Sequence, residues 1–435
     1  MKLDVYVDNV LTGTLDQVDL TQYVFSYQGG VDPKKMVSLL MPVRTQSWVH
    51  RFLHPVFQVS LPEGVLRQLL TKNYSKQFPR FGDTELLAVV GSHLIGRIKI
   101  AAHGSPLNVD SPHENLTDLL SYSTQEMIDH YIGEHAQYSG VSGGFPKFLA
   151  KSPATGLDSD GKSTLRFDHW IVKANDADRP HLVLNEYFGL SVVKKMGLPT
   201  PEFVLSDDGN RLAIKRFDIT EAGRHLGFED MCALMALNAA DKFGGSVERI
   251  VKILNDFCPA ETREVSIGQF YAQYVACMAI RNGDAHLKNF GLLYTNFDDV
   301  HLSPAYDMLS MAAYAPRAQN GDALDDPALN FGGVRRWFTE KTIKSFAARC
   351  LISSTEQKRV SDRLCAAMQH VAYEICGKAE QMASFRPTAR RMLELWSHGL
   401  RIHSNEVSNQ MIELMQRVEH LDDPDDLMAE QSASP

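Results

Sequence analysis

The stretch Asn282-Gly283-Asp284-Ala285-His286-Leu287-Lys288-Asn289-Phe290 decides how the rest of the chain is read. It follows a segment, 267–282, whose residues Phe270, Tyr274, Cys277 and Met278 fall on one face of a helix. Asn282-Gly283 is a helix stop, because glycine accepts the left-handed backbone that closes a C-terminus. Asp284 therefore opens a loop held by a rigid rod, and Asn289 follows five residues later. The plain alternative is a polar loop whose Asp caps a helix, and the spacing alone does not separate the two.

Asp followed by Asn at that distance is the spacing of kinase catalytic loops, where the Asp handles the proton of the attacking hydroxyl and the Asn holds magnesium. A second acid, Asp307, lies 23 residues after the first, in the apolar stretch His301-Leu-Ser-Pro-Ala-Tyr-Asp307-Met-Leu-Ser310. Between them Phe290-Gly-Leu-Leu-Tyr294 and Val300-His-Leu302 read as a short hairpin turned at 296–299. Catalytic loop, hairpin, then carboxylate is the kinase order. The carboxylate has a purpose there: the β- and γ-phosphates are strongly negative, and the magnesium that neutralises them takes one or two hard oxygen ligands plus waters. The competing reading makes Asp307 the cap of a helix starting at Met308.

Upstream, Tyr138-Ser139-Gly140-Val141-Ser142-Gly143-Gly144-Phe145-Pro146-Lys147 can expose backbone N–H groups to a phosphate without Cβ obstruction. It also fits the hydrolase pattern G-x-S-x-G. A nucleophile elbow needs a helix immediately after it, however, and here Pro146 and the strand-like Phe148-Leu149-Ala150 follow. His169-Trp170-Ile171-Val172-Lys173-Ala174 is an apolar strand carrying one lysine near its end, like the kinase lysine that reaches the phosphates. Glu186, in the helix that follows, is placed to pair with Lys173. Leu212-Ala-Ile-Lys215-Arg216-Phe217-Asp218 runs into the lobe boundary as a hinge. Arg216 and Asp218 can equally form a surface ion pair there, of small energetic weight.

Outside these motifs the first ~220 residues read as mixed strand and helix. Leu3 to Val7 and Leu94 to Ile100 alternate, 64–70 is helical, and Lys151 to Thr164 is a solvated hairpin tip. From about Glu229 the pattern turns helical: 229–240, 246–257, 267–282, 339–350, 354–377, 387–403 and 404–420, with Ser354-Thr-Glu-Gln357 a capping box. The expected fold is α+β and two-lobed, like a protein kinase. Its mixed α/β N-terminal lobe and all-α C-terminal lobe enclose a ligand cleft. The expected divisions are 1–130 (N-terminal subdomain), 131–220 (nucleotide lobe with glycine-rich loop, lysine strand and hinge), 221–420 (helical lobe with catalytic loop) and 421–435 (acidic tail).

The chain has 435 residues, 44% of them hydrophobic and 22% charged, which excludes a long disordered protein. No stretch reaches the ~18 apolar residues of a bilayer span, and no signal-peptide block opens the chain. A cytoplasmic protein without membrane contact is expected. The net charge of −9 makes it a poor DNA binder on its own, since phosphate affinity comes from clustered Lys and Arg. The six cysteines form no C-x-x-C pair and read as buried free thiols.

Taken together, Val141-Ser-Gly-Gly-Phe-Pro-Lys147, Ile171-Val-Lys173, Asn185-Glu186-Tyr187, Lys215-Arg-Phe-Asp218, Glu229-Asp-Met-Cys232, Asn282 to Asn289 and Tyr306-Asp307 resemble the HipA family of bacterial serine/threonine kinases, the toxins of HipBA-type toxin–antitoxin pairs. Ser38-Leu-Leu-Met-Pro42 and Ser60-Leu-Pro-Glu63 resemble that family's N-terminal subdomain. The resemblance implies Asp284 as catalytic base and Asn289 and Asp307 as Mg²⁺ ligands. It implies an ATP site made of Val141, Ser142, Gly143, Gly144, Lys147, Lys173, Lys215, Arg216, Phe217, His286, Lys288, Asn289 and Asp307, with Glu186 paired to the phosphate lysine. It also implies a HipB-like helix-turn-helix antitoxin as partner, operator DNA reached mainly through that antitoxin, and a protein substrate such as an aminoacyl-tRNA synthetase. Family members autophosphorylate a serine of the glycine-rich loop. Ser142 is the stronger candidate and Ser139 the weaker, because Gly140 stands where some members carry the serine. Phe145 replaces a glutamine common in the family's loop. The rival expectation is a non-catalytic, nucleotide-binding corepressor that bridges antitoxin dimers.

Overall fold

The computed structural model describes residues 1–110, 115–122, 126, 138, 140, 147–153, 167–175, 178–318 and 323–421. Ser139, the loop residues Val141, Ser142, Gly143 and Gly144, the hairpin tip beyond residue 153 and the acidic tail after residue 421 lie outside the described residues.

The chain opens with an antiparallel sheet of β1 (Lys2–Val7), β2 (Val10–Asp19), β3 (Gln22–Tyr27), β4 (Trp48–His50) and β5 (Ile98–Ala102), ordered β4-β3-β2-β1-β5. The first turn is Asp8-Asn9, both with positive φ (50° and 61°), the conformation that lets a two-residue hairpin follow the strand twist. Leu3, Val5 and Val7 alternate inward and are fully buried. Against them pack Leu66 and Leu70 of helix Gly64–Tyr74 and Leu86, Leu87 and Val90 of helix Asp83–Val90.

A second antiparallel sheet combines β6 (Lys147–Pro153), β7 (Phe167–Ala174), β8 (Phe203–Leu205) and β9 (Arg211–Lys215) in the order β6-β7-β9-β8. The register puts Lys147 opposite Lys173, and Pro153 opposite Phe167 at the start of the expected hairpin tip. This sheet is shared between two cores. Trp170, Val172, Ala174 and Ala213 join the N-terminal core, whereas Leu212 and Ile214 join the core of the helical lobe together with helix Leu182–Lys195.

The C-terminal part carries a small sheet, β10 (Gly227–Asp230), β11 (Gly291–Tyr294) and β12 (His301–Leu302), and the helices Val247–Phe257, Ala260–Ala279, Glu340–Arg349, Ser354–Gln381, Arg386–Leu400 and Asn405–His420. A Cβ on Gly399 would lie 1.9 Å from the Ala279 carbonyl oxygen, so a glycine is required where these two helices cross. All six cysteines are free and buried. No helix among the described residues is long and apolar enough to cross a membrane.

Four expectations are corrected. The helix expected at 229–240 is strand β10 followed by a single turn, Met231–Leu234, because Glu229 and Asp230 pair with Leu292 and Gly291 and the Asp230 side chain caps that turn at the Ala233 N–H. The helix before the catalytic loop starts at Ala260 and ends at Ala279; Arg281 (φ 58°), not glycine, takes the left-handed turn. The cap of helix Ser354–Gln381 is Ser353, whose Oγ accepts the Glu356 N–H at 3.2 Å. Arg216 and Asp218 are buried rather than on the surface, because Asp218 also accepts the Gly96 N–H at 2.6 Å and Arg216 donates to the Leu94 carbonyl at 3.4 Å.

Candidate functional site

The catalytic-loop candidate leaves the helix at Arg281 and is wired to the Asp307 segment by two asparagines. Asn282 accepts the Asp284 N–H at 3.2 Å and donates to the Asp307 carbonyl at 3.1 Å. Asn289 accepts the His286 N–H at 3.0 Å and donates to Asp307 Oδ2 at 3.2 Å. Asp307 itself has φ 51°, and no helix starts at Met308, so the helix-cap reading of Asp307 fails. Gly189 lets this segment approach helix Leu182–Lys195, since a Cβ there would lie 2.0 Å from the Met308 carbonyl oxygen.

From the opposite wall, strand β7 brings Lys173 between two acids. Its Nζ donates to Glu186 Oε1 at 2.6 Å and also to Asp307 Oδ1. Burial disfavours the Lys173 charge, but Asp307 and Glu186 outweigh it and hold the ammonium above the usual lysine range. The same contact, with help from Lys147, holds Asp307 well below the usual carboxylate range despite its burial. Burial lowers Lys147, against the pull of Asp307. Asp284, half-buried, is pushed up to about 6, mainly by desolvation, with Lys242 pulling it down and Asp307 adding to the rise. Burial also takes His286 down to about 3, so it is neutral at pH 7; its Nε2 lies 4.0 Å from Asp284.

These groups meet in one cleft lined by Lys147, Lys173, Glu186, Lys215, Arg216, Phe217, Asp284, His286, Lys288, Asn289 and Asp307. Every described residue of the expected ATP site is thus in one place. Some of them are otherwise engaged: Lys215 bonds Asp168 at 2.8 Å, the Arg216 guanidinium is clamped on Asp218, and Lys288 lies 3.1 Å from Glu63. The lining also has an apolar part, Ile95, Ile171, Ile214 and Leu309, with Phe217 and Phe228 packed on Tyr306.

Sequence reasoning missed part of the wall. Val59, Ser60, Glu63 and Ile95 reach it from the N-terminal sheet region, and Asp230 and Lys242 from the segment before helix Val247–Phe257. Two signals were available, Ser60-Leu-Pro-Glu63 and Glu229-Asp-Met-Cys232, both noted above as motifs but given no place in the site. Lys242 belongs to no motif. Tyr306 was noted beside Asp307; its hydroxyl donates to the Lys288 carbonyl at 2.9 Å.

Residues 3–101 match the HipA N-terminal domain family and residues 139–374 the HipA-like C-terminal domain family. "Putative kinase Y4dM" of Sinorhizobium fredii is 28% identical over 297 residues, 65% of this chain and 66% of that relative, so the match spans slightly under two thirds of that relative's length. A "Putative kinase" of Haemophilus influenzae is 26% identical over 248 residues, 53% of this chain and 68% of that relative. Among solved structures, a chain of the Shewanella oneidensis MR-1 complex of HipA, HipB and operator DNA superposes with a TM-score of 0.58 at 15% identity, covering 96% of this chain and 99% of that one. At that identity the likeness is one of fold.

Proposed function

Because the chain belongs to the HipA family, we propose that it is an ATP- and Mg²⁺-dependent serine/threonine kinase acting as the toxin of a type II toxin–antitoxin pair. The observation that carries this reading is the meeting of Asp284, Asn289, Asp307 and the Lys173–Glu186 pair in one cleft. A protein that merely holds a nucleotide has no need of a half-buried acid beside a second, strongly ionised one.

In this reading the apolar part of the lining takes the adenine, and Lys173 and Lys147 take phosphate oxygens. Asp284 accepts the proton of the substrate hydroxyl as its oxygen attacks the γ-phosphorus and ADP departs. A carboxylate in hydrogen-bond reach and ionised at neutral pH suits that task. The residues fit Mg²⁺. Asp307 stays ionised, and a cation already stands on it in the form of the Lys173 ammonium; Asn289 lies beside it and would offer its Oδ1, which here accepts the His286 N–H while its NH2 donates to Asp307. The metal would supply charge neutralisation to the phosphates.

The finer parts of the proposal follow from the family. Ser142 of the glycine-rich loop is the autophosphorylation site, with Ser139 the lesser candidate. A HipB-like antitoxin is the partner, and the protein acts with it as corepressor on operator DNA, as the composition of the Shewanella complex suggests. An aminoacyl-tRNA synthetase is the substrate class, and its phosphorylation halts translation.

Incubation with labelled ATP and Mg²⁺, followed by mass spectrometry, tests the reading. Phosphate on Ser142 in the wild type and none in Asp284→Asn supports it. Nucleotide binding without any transfer favours the bridging corepressor instead.

A further inference from the structure

Lys242 lines the cleft beside the catalytic loop and is fixed there. Its carbonyl accepts the Leu287 N–H at 3.1 Å, and the ring of Phe243 packs edge-on against His286, with centroids 5.2 Å apart. Gly245 closes the contact, since a Cβ on it would lie 2.5 Å from the Leu287 side chain. Lys242 Nζ lies 3.6 Å from Glu63 Oε2, and Lys288 Nζ lies 3.1 Å from Oε1 of the same carboxylate. Lys288 also donates to the Val59 carbonyl at 3.4 Å and stands 4.0 Å from Asp230. One carboxylate, carried by the residue just before helix Gly64–Tyr74, thus bridges two ammonium groups in the cleft that Asp284 also lines. Lysine is a point-charge phosphate binder, and two of them converging on one anion make a site that a phosphate can occupy in place of a carboxylate. Lys242, Lys288 and Asp284 line the same cleft.

We propose that Lys242 and Lys288 hold the phosphate group in transit, and that Glu63 occupies this site in the resting protein as a competitor built into the other end of the chain. The proposal rests on the kinase reading above. A phosphate cannot share the two lysines with the Glu63 carboxylate, because the like charges repel, so Glu63 swings out when the terminal phosphate enters. The Glu63 and Lys242 side chains are 26% and 22% exposed and 3.6 Å apart, so that arm is the one free to exchange, whereas Lys288, 8% exposed, is also held by the Val59 carbonyl. In the transfer, the bond from the substrate oxygen to the γ-phosphorus forms, and the bond from that phosphorus to the bridging oxygen of ADP breaks. The hydroxyl proton goes to Asp284, and ADP leaves with the electron pair. The two lysines exchange no proton; they neutralise the charge spread over the equatorial oxygens.

Calorimetric titration of the full chain with MgATP, MgADP and tripolyphosphate tests this on wild type, Glu63→Gln and Lys242→Met, with circular dichroism verifying the fold. Removing the competitor in Glu63→Gln should tighten MgATP and tripolyphosphate by about 3- to 10-fold, and leave MgADP within about 2-fold. Lys242→Met should weaken MgATP to near the affinity of MgADP. If Glu63→Gln alters MgATP and MgADP by the same factor, or neither, the two-lysine site is overturned while nucleotide binding stands. If wild type binds no ATP, yet tripolyphosphate binds and tightens in Glu63→Gln, the site stands and the kinase reading falls. Binding of neither anion to wild type or Glu63→Gln overturns both.

Discussion

Asp284 is a carboxyl whose surroundings have moved its proton affinity toward the working range. Burial lifts it to about 6, and Lys242 keeps it from rising further. A base must be ionised to act, so activity should fall as pH drops through about 6 and level off above it. His286, neutral down to about 3, contributes nothing to that limb. A pH profile of kcat/KM measures it, and a limb near 4 would mean that the base is another carboxylate. Lys242→Met removes the main charge that favours the ionised form, so the limb should move to higher pH. Asp284→Asn keeps shape and hydrogen bonding but not the proton acceptor, and transfer should fall by ~10²-fold or more while MgATP still binds. Wild-type transfer rates in that variant would remove Asp284 from the role. Asp307 differs in kind, because Lys173 keeps it ionised at any ordinary pH. Asp307→Ala should therefore weaken ATP binding with Mg²⁺ far more than without it, and calorimetry in both conditions separates the two.

Elements held in place by their own periodicity were readable from the sequence, and those held by distant partners were not. The apolar stripe of Phe270, Tyr274 and Cys277 announced its helix, and the alternation of Leu3, Val5 and Val7 its strand, because the side chains that define the period are the ones that pack. Glu229 reads as helical alone but is strand in the fold. Its carboxylate takes the Ser38 Oγ–H at 2.7 Å, the Leu39 N–H at 2.8 Å and the Tyr294 hydroxyl at 2.6 Å, partners that no local pattern reveals. The site divides the same way. Asp284 and Asn289 lie on one loop and were legible by spacing, whereas Glu63 and Lys242 come from segments 179 residues apart and meet only in three dimensions. Two substitutions test elements. Ser353→Ala should cost about 0.5–2 kcal/mol by removing the cap of helix Ser354–Gln381, while Ser354→Ala costs little; thermal melts decide, and equal effects would contradict the cap assignment. Gly189→Ala drives a methyl into the Met308 carbonyl, so it should destabilise by roughly 1–3 kcal/mol and reduce transfer as well, since Asp307 is the next residue.

At the scale of the whole molecule one part of the cleft wall, Val59, Ser60, Glu63 and Ile95, depends on how the N-terminal region is fastened to the kinase-like body. Three buried polar contacts fasten it: the Glu229 network, Arg97 donating to Thr295 O at 2.6 Å and Met36 O at 2.9 Å, and the Arg216–Asp218 pair. The last lies in the hinge segment itself. Burial alone would raise Asp218, but Arg216 and the Gly96 N–H reverse this and hold it well below the usual carboxylate range. Its folded-state pKa is thus lower than its unfolded one. The stability it contributes is present above the unfolded value of about 4 and is lost as pH falls from there toward the folded value. Removing one partner is worse than acid, because it leaves a buried guanidinium without its counter-charge. Asp218→Ala should cost about 3–5 kcal/mol, whereas the double variant Asp218→Ala with Arg216→Met removes both charges and should recover much of that loss. The double-mutant cycle is read by denaturant midpoints at pH 7 and repeated at about pH 2.5, inside the window where the contribution is lost. Strong coupling at pH 7 that shrinks at the lower pH is the expected outcome. Additive losses at both pH values would mean that Arg216 and Asp218 merely share a cavity, and that the sheet is held on by Glu229 and Arg97 alone.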